Sequence, residues 1–271
     1  MFNVKRITIG CDPEFVVKKN ADIIYAERVL PWSFRTKSFG HDGAIFEVRP
    51  GYSHNVLKVI SSIKNLLEEA YSNLKGLQDC KWIAGHYVGY MAIGGHIHLG
   101  NIFVDGRYIA LLVTALGNVL INGMSNKIDN IHQRCQRRNA GYGGYDDHRI
   151  QESKTAEHSP YGANMITRLE YRAPGSFLVS PTITFINLIL AKIVTMEICA
   201  RIHGGIRERS ILSVKKVPDT ILSNLISVAE TNPIFNDEED ILLGIKVIKH
   251  FMTNNVKVSW KKDFKHSWGI E

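Results

Sequence analysis

Two histidines stand two residues apart in Gly94-Gly95-His96-Ile97-His98-Leu99-Gly100, inside an apolar run with glycine at both ends. In an extended chain, residues i and i+2 point to the same face, so both imidazoles would aim at one small volume. Imidazole is the commonest metal ligand and a ready phosphate partner, although a histidine pair can equally be ordinary hydrogen-bonded strand residues. Glycine weakens a strand interior and is often kept where a ligand or another backbone comes close. Three further segments share this grammar. Gly10-Cys11-Asp12-Pro13-Glu14 places two carboxylates at i and i+2. Asp42-Gly43-Ala44-Ile45-Phe46-Glu47-Val48-Arg49-Pro50 embeds Glu47 among apolar neighbours with Arg49 on its face, and Arg168-Leu169-Glu170-Tyr171-Arg172 alternates charged and apolar positions. Any one segment can be a half-exposed strand, and Arg-x-Glu-x-Arg by itself a surface ion-pair ladder of little worth.

Pooled on one face, the four segments make a different object: several carboxylates, two histidines and three arginines. Carboxylate oxygens with an occasional imidazole suit Mg²⁺ or Mn²⁺, and the fixed fork of arginine suits phosphate and carboxylate groups. Zinc would accept His96, His98 and a carboxylate, but the excess of acid and arginine fits a nucleotide–metal site better. The chain holds no Walker A loop, no GxGxxG after a strand and no kinase catalytic loop, so phosphate would have to be held by metal and arginine.

The elements that must carry these residues are read from periodicity and punctuation. Residues 5–18 read as two strand-like pieces around Gly10–Glu14, residues 22–25 as a short strand, and residues 44–49 as a strand ended by Pro50-Gly51. Val56, Ile60, Ile63, Leu66, Leu67 and Ala70 recur at helical spacing, with Ser53 as candidate cap and Gly76 as stop. Strands surround the histidine pair, and residues 101–106 carry a turn signal. A second apolar-periodic helix covers 107–122, and a polar, glycine-rich loop covers 126–163. A strand at 167–173 precedes a long helix at 181–203 and two more at 220–230 and 238–254. Strands come early in antiparallel-looking groups and helices dominate the end, which predicts an α+β fold rather than a doubly wound parallel sheet.

Composition limits the function classes. The 271 residues, 45% hydrophobic and 22% charged, are those of a folded globular chain with one large or two small domains. A net charge of +7 suits an anionic partner. The basic residues fall in short clusters, and neither helix-turn-helix nor zinc-finger spacing supports nucleic acid as the partner. Cys11, Cys80, Cys135 and Cys199 form no CxxC pair, as expected for reduced thiols in the cytoplasm. The first residues lack the apolar core of a signal peptide. The apolar stretch 183–202 is interrupted by Asn187, Lys192 and Glu197, so it reads as a buried or amphipathic helix, and no membrane insertion is expected.

The ordered set GCDPE, DGAIFEVRP, GGHIHLG and RLEYRAPGS resembles the glutamine synthetase-like carboxylate-amine ligases, most closely a phage-borne amidoligase group described as COOH.NH2 ligase type 2. The resemblance covers about residues 8–177. It implies a curved antiparallel sheet lining a funnel, with helices on its outer face, in a single domain over 1–271 whose helical C-terminal part is 181–271. It also implies ATP entering at one end, the carboxylate and amine at the other, and divalent metals between, in the cytoplasm of a host if phage-encoded. By position, Asp12, Glu14, Glu47, His96 and Glu170 match metal ligands, with Asp42 assisting through water or by orienting its turn. His98 matches a contact to ATP phosphate, with Arg49 and Arg168 also on the nucleotide side. Arg168 and Arg172 match arginines that stabilise the transferring phosphate and the acyl phosphate. Arg137, Arg138, Tyr142 and Arg149 fall where substrate contacts are expected. The chain lacks room for the separate N-terminal domain of a full glutamine synthetase, Asp12 stands where glutamate is more usual, and the amine-binding region is unrecognisable. A metal-dependent zinc hydrolase built on His96, His98 and a carboxylate, and a non-catalytic module for an anionic peptide or nucleic acid, are the competing readings.

Overall fold

The computed structural model describes residues 2–31, 38–125, 127, 146–152, 165–205, 212, 216, 218–254, 256, 258 and 262–270. Eleven strands appear among them: β1 (Thr8–Lys19), β2 (Asp22–Ile24), β3 (Phe39–Asp42), β4 (Ile45–Val48), β5 (Tyr52–Ser53), β6 (Lys81–Ile83), β7 (Tyr87–Val88), β8 (Met91–Ala92), β9 (Gly95–Asp105), β10 (His148–Glu152) and β11 (Met165–Tyr171). The main sheet runs β10-β11-β9-β1-β4-β3, with β2, β5 and β6 also pairing with β1, and every pairing is antiparallel. The α+β expectation therefore holds, with helices covering one face of a curved antiparallel sheet.

Strand β1 is one continuous strand rather than two pieces, despite Pro13 near its centre. Proline offers no N–H to a ladder. Its partner Gly95 turns its own N–H to the Pro174 carbonyl at 3.0 Å, and Glu14 resumes the ladder by donating to the Gly94 carbonyl at 2.8 Å. Alternation along the strands separates two faces. Ile9, Cys11, Phe15 and Val17 of β1, Phe46 of β4, Ile97 and Leu99 of β9, and Leu169 and Tyr171 of β11 are all buried in the core. The helices Val56–Asn73 and Pro181–His203 lie against this apolar face. Beneath the β1–β4 pairing, Phe15 stacks on Phe46 at 5.0 Å and on Trp82 at 5.2 Å, with Phe264 edge-on at 5.5 Å.

Local departures from the sequence reading have physical causes. The helix Val56–Asn73 is capped by Asn55, whose side chain accepts from the Leu57 N–H, and not by Ser53. The segment before the histidines forms its own hairpin, β7–β8. Residues 101–105 continue β9 instead of turning, because the strand absorbs the irregularity as a bulge against β11. The predicted helix at 107–122 is a 3-10 turn at Gly106–Tyr108, an α-helix at Ile109–Leu116 and a π-helical stretch at Gly117–Asn122. Pro181–His203 is long and apolar enough to cross a membrane by length and composition, yet its most apolar window is 94% buried inside the fold. Its charges are neutralised there: Lys192 meets Asp240 at 2.9 Å and Glu238 at 2.7 Å, and Glu197 accepts from Arg201 and from Asn232.

Candidate functional site

Register brings the charged residues together on the sheet face opposite the core. Asp12 lies across from His96 and Gly10 across from His98, so the Asp12 carboxylate reaches both rings: Oδ1 is 3.2 Å from His96 Nδ1 and 3.1 Å from His98 Nε2. On the other side of β9, Glu170 pairs with His98, and its Oε1 lies 3.7 Å from His96 Nδ1. Arg172 Nη1 donates to Glu170 Oε1 at 3.0 Å, and Arg149 Nη1 stands 4.0 Å from Oε2. Arg172 follows β11 directly and is 2% exposed, with its Nε 3.9 Å from Asp147 Oδ1. Further along β1, Glu14 pairs with Glu47 of β4. Glu14 accepts a short hydrogen bond from the Gly94 N–H, and Glu47 accepts from Arg49 Nε at 2.6 Å.

Electrostatics follow from this packing. Burial pushes the Asp12 carboxyl up, but the adjacent His96 and His98 rings outweigh burial and hold it at about 2. Burial pushes His98 down, and the Asp12 carboxylate more than reverses that, so His98 is raised. Arg172 is lowered by burial against the pull of Asp12, Glu14 and Glu47, which places all three acids within its field. Arg49 is raised by its hydrogen bond to Glu47.

Asp12, His98 and Glu170 each offer one ligand atom, and these atoms lie within 4.8 Å of one another. Asp12 Oδ1 and His98 Nε2 are buried and close, yet neither makes a hydrogen bond among the described residues. Buried polar atoms are ordinarily satisfied, so this convergence of unsatisfied oxygen and nitrogen fits a cation placed among them. Two carboxylates and one imidazole are the donor set of a hard divalent ion such as Mg²⁺ or Mn²⁺. Glu14 and Glu47 form a second acidic pair, about 7 Å along β1 from Asp12 at the usual strand rise. His96 contacts the first group through Nδ1.

Other sequence-derived residues take separate places. Arg168 is exposed on β11, on the same face as Glu170, and Asp42 is exposed on β3. Arg149 lies on β10 opposite Glu170. Arg137, Arg138 and Tyr142 lie outside the described residues. Sequence reading missed Asp147, whose carbonyl accepts the Arg172 N–H at 2.9 Å, because no spacing rule links it to the strand motifs. It also missed Gly40. A Cβ there would stand 2.2 Å from Arg49 Nη2, so only glycine lets the guanidinium lie across β3. The glycines around the histidines serve packing: a Cβ on Gly95 would meet the Gly175 carbonyl at 2.4 Å, and one on Gly100 the Thr8 hydroxyl at 2.4 Å. A cavity of about 450 Å³ opens beside His98 and Arg168.

The family model described as Phage phiEco32-like COOH.NH2 ligase-type 2 matches residues 9–270 of the chain. Among solved structures, the fold is similar to one in the complex between the prokaryotic ubiquitin-like protein Pup and its ligase PafA, with a TM-score of 0.55, 10% identity, and coverage of 94% of this chain and 65% of the other. It is also similar to a bifunctional glutathione synthetase from Pasteurella multocida, with a TM-score of 0.51, 10% identity, and coverage of 98% of this chain and 49% of the other. The chain thus spans 65% of the length of the first of these two and 49% of the second. No curated protein matches it in sequence.

Proposed function

The chain belongs to the phage phiEco32-like COOH.NH2 ligase-type 2 family, and on that footing we propose that it is an ATP-dependent carboxylate-amine ligase working through an acyl phosphate, as one domain over residues 1–271. The observation that carries the reading is the convergence of Asp12, His98 and Glu170 beside the buried Arg172. A carboxylate oxygen of one substrate attacks the γ-phosphorus of ATP, and the bond to ADP breaks. An amine then attacks the acyl carbon, phosphate leaves, and an amide forms.

The residues divide this work by charge. Asp12, Glu14, Glu47, His96 and Glu170, joined by His98 in the cluster with Asp12 and Glu170, would hold the divalent ions, which when bound neutralise phosphate charge as it moves. Arg168 from the exposed face and Arg172 from its buried place beside Glu170 would stabilise charge on the transferring group and on the acyl phosphate. Glu170 fixes Arg172, and Arg172 in turn keeps the Glu170 carboxylate aimed at the cluster. Arg49 would complete the nucleotide contacts, and Arg138, Tyr142 and Arg149 the substrate contacts. The acid and amine are small molecules or peptide ends. The cytoplasm supplies ATP and keeps the buried thiols of Cys11, Cys80 and Cys199 reduced.

The test is incubation with ATP, Mg²⁺ and pooled amino acids, peptides and amines, following phosphate release and then product mass. Stimulated release with a new amide mass is the expected result. Magnesium-dependent ATP affinity that is unchanged in Glu47→Ala and Glu170→Ala would sink the assignment. The three-donor cluster is also the ligand number of a catalytic zinc site. That reading requires activity without nucleotide and one tightly held zinc, both read by omitting ATP and by metal analysis.

A further inference from the structure

Strand β10 meets the charges of β11 with charges of its own. Its register sets Arg149 opposite Glu170 and the neutral Gln151 opposite Arg168. The pairing runs one residue past both strands, because the Arg172 N–H donates to the Asp147 carbonyl at 2.9 Å. Residues i and i+2 of a strand share a face, so Asp147 and Arg149 stand on the same side as Arg172, Glu170 and Arg168. Opposite signs therefore meet across the two strands, Asp147 against Arg172 and Arg149 against Glu170.

Glu170 carries two loads at once. It is one of the three converging donors with Asp12 and His98, and its Oε1 also accepts from Arg172 Nη1 at 3.0 Å. A divalent ion and a guanidinium both draw on that single negative charge, and each repels the other. The Arg172 side chain is 2% exposed, so water cannot take over as its partner when an ion arrives. A second carboxylate is needed, and Asp147 is in place. It meets the guanidinium at a different nitrogen, with Oδ1 3.9 Å from Nε, and is itself only 19% exposed. The backbone hydrogen bond between the same two residues roots the contact, so it does not depend on the ion.

We propose that Asp147 is a positioning residue for the cation: it supplies the counter-charge that keeps Arg172 in place while Glu170 gives its own charge to the divalent ion. The inference rests on the reading of Asp12, His98 and Glu170 as an ion site. It goes beyond that reading by giving the start of β10 a share in how tightly the ion is held. Without Asp147, Arg172 and the ion compete for Glu170 alone.

Calorimetric titration of the full chain with Mn²⁺, in the absence of nucleotide, tests it with Asp147→Asn, Asp147→Glu and Asp146→Asn. A group acting through a metal ligand shifts affinity by about fivefold or more, so Asp147→Asn should weaken Mn²⁺ by about that factor and Asp147→Glu should stay within about twofold of the parent. Asp146, exposed one residue earlier, controls for charge alone, and Asp146→Asn should leave the affinity within about twofold because distant exposed charges are screened. A merely structural Asp147 would lower the melting temperature and leave the affinity of the folded chain as it was. Unchanged affinity in Asp147→Asn overturns the proposal, and so does an equal loss in Asp146→Asn. A parent chain that binds no Mn²⁺ at millimolar concentration overturns the ion reading together with it. Should Asp147→Asn melt below the titration temperature, Asp147→Ser, smaller and equally neutral, is read in its place.

Discussion

The two ends of β1 teach opposite lessons about how a sheet presents chemistry. Around Glu14 the ladder is regular: Glu14 faces Glu47, and directly beneath them Phe15 faces Phe46 within an aromatic stack that includes Trp82 and Phe264. Around Thr8 the neighbouring strand is broken by the 101–103 bulge, and the result is empty volume. Regular pairing over a packed core fixes carboxylates at set spacings. Irregular pairing opens a cavity, with strain as its cost.

That contrast can be broken experimentally. The largest effect on turnover is expected between the two ends, at Arg172→Ala. If Arg172 has the proposed role, losing one such donor is worth about 3 kcal/mol, and turnover should fall by roughly a hundredfold or more. Removing the buried guanidinium from beside Glu170 and Asp147 should also lower the melting temperature, which calorimetry reads together with the rate. Phe15→Ala should cost about 3–5 kcal/mol of stability, because the ring is fully buried under the acidic pair, and denaturant unfolding measures it. Tyr52→Ala should change stability by no more than about 0.5 kcal/mol, the ring being exposed. Equal losses for these two would erase the distinction between the ends.

Smaller effects refine it. Gly40→Ala should displace the Arg49 guanidinium and change the rate several-fold with little loss of stability, since the clash falls on the end of a flexible side chain. Steady-state kinetics with thermal melting separates that from misfolding. The pH dependence of the metal-free chain should be gentler still. His98 is raised in the fold, so its contact with Asp12 stabilises fully below the unfolded histidine value near 6.5 and fades as pH rises through the folded value. Asp12 is lowered to about 2, so its part is present above the usual carboxyl value near 4 and is lost as pH falls through 2. Stability should therefore be greatest between about 4 and 6.5, and a profile in Asp12→Asn that keeps the alkaline decline would remove this pair as its source.

The four charged motifs could be read from sequence because strand alternation is a local rule. Within each segment the i, i+2 pattern implied a shared face, whereas the distances at which Asp12, His96, His98 and Glu170 meet come from the register between strands. The order of strands was not legible: nothing local says that β9 lies between β1 and β11. Asp147 and Gly40 were missed because each acts through a neighbour brought by register, Arg172 in one case and Arg49 in the other. The bulge was read as a turn, since Asn101 and Gly106 are turn residues by composition and only the pairing with β11 shows that the chain continues. The long helix at 181–203 was legible in length, whereas the partners of its lysine and glutamate, Asp240 and Asn232, come from distant segments.

Strand β1 is the hub of the sheet, and its position in the chain has a consequence for synthesis. It precedes every other described strand in the chain, with Ile9, Cys11, Phe15 and Val17 on one side and acids on the other, and its partner β9 begins only at residue 95. Pairings this distant in sequence form slowly and leave sticky strands exposed meanwhile. Glu170 and Arg172 arrive later still, so a chain cut short before β11 carries only part of the acid set and none of the buried guanidinium. The last charged strand to be translated is therefore the one that completes the cluster, since Glu170 and its Arg172 partner come only with β11.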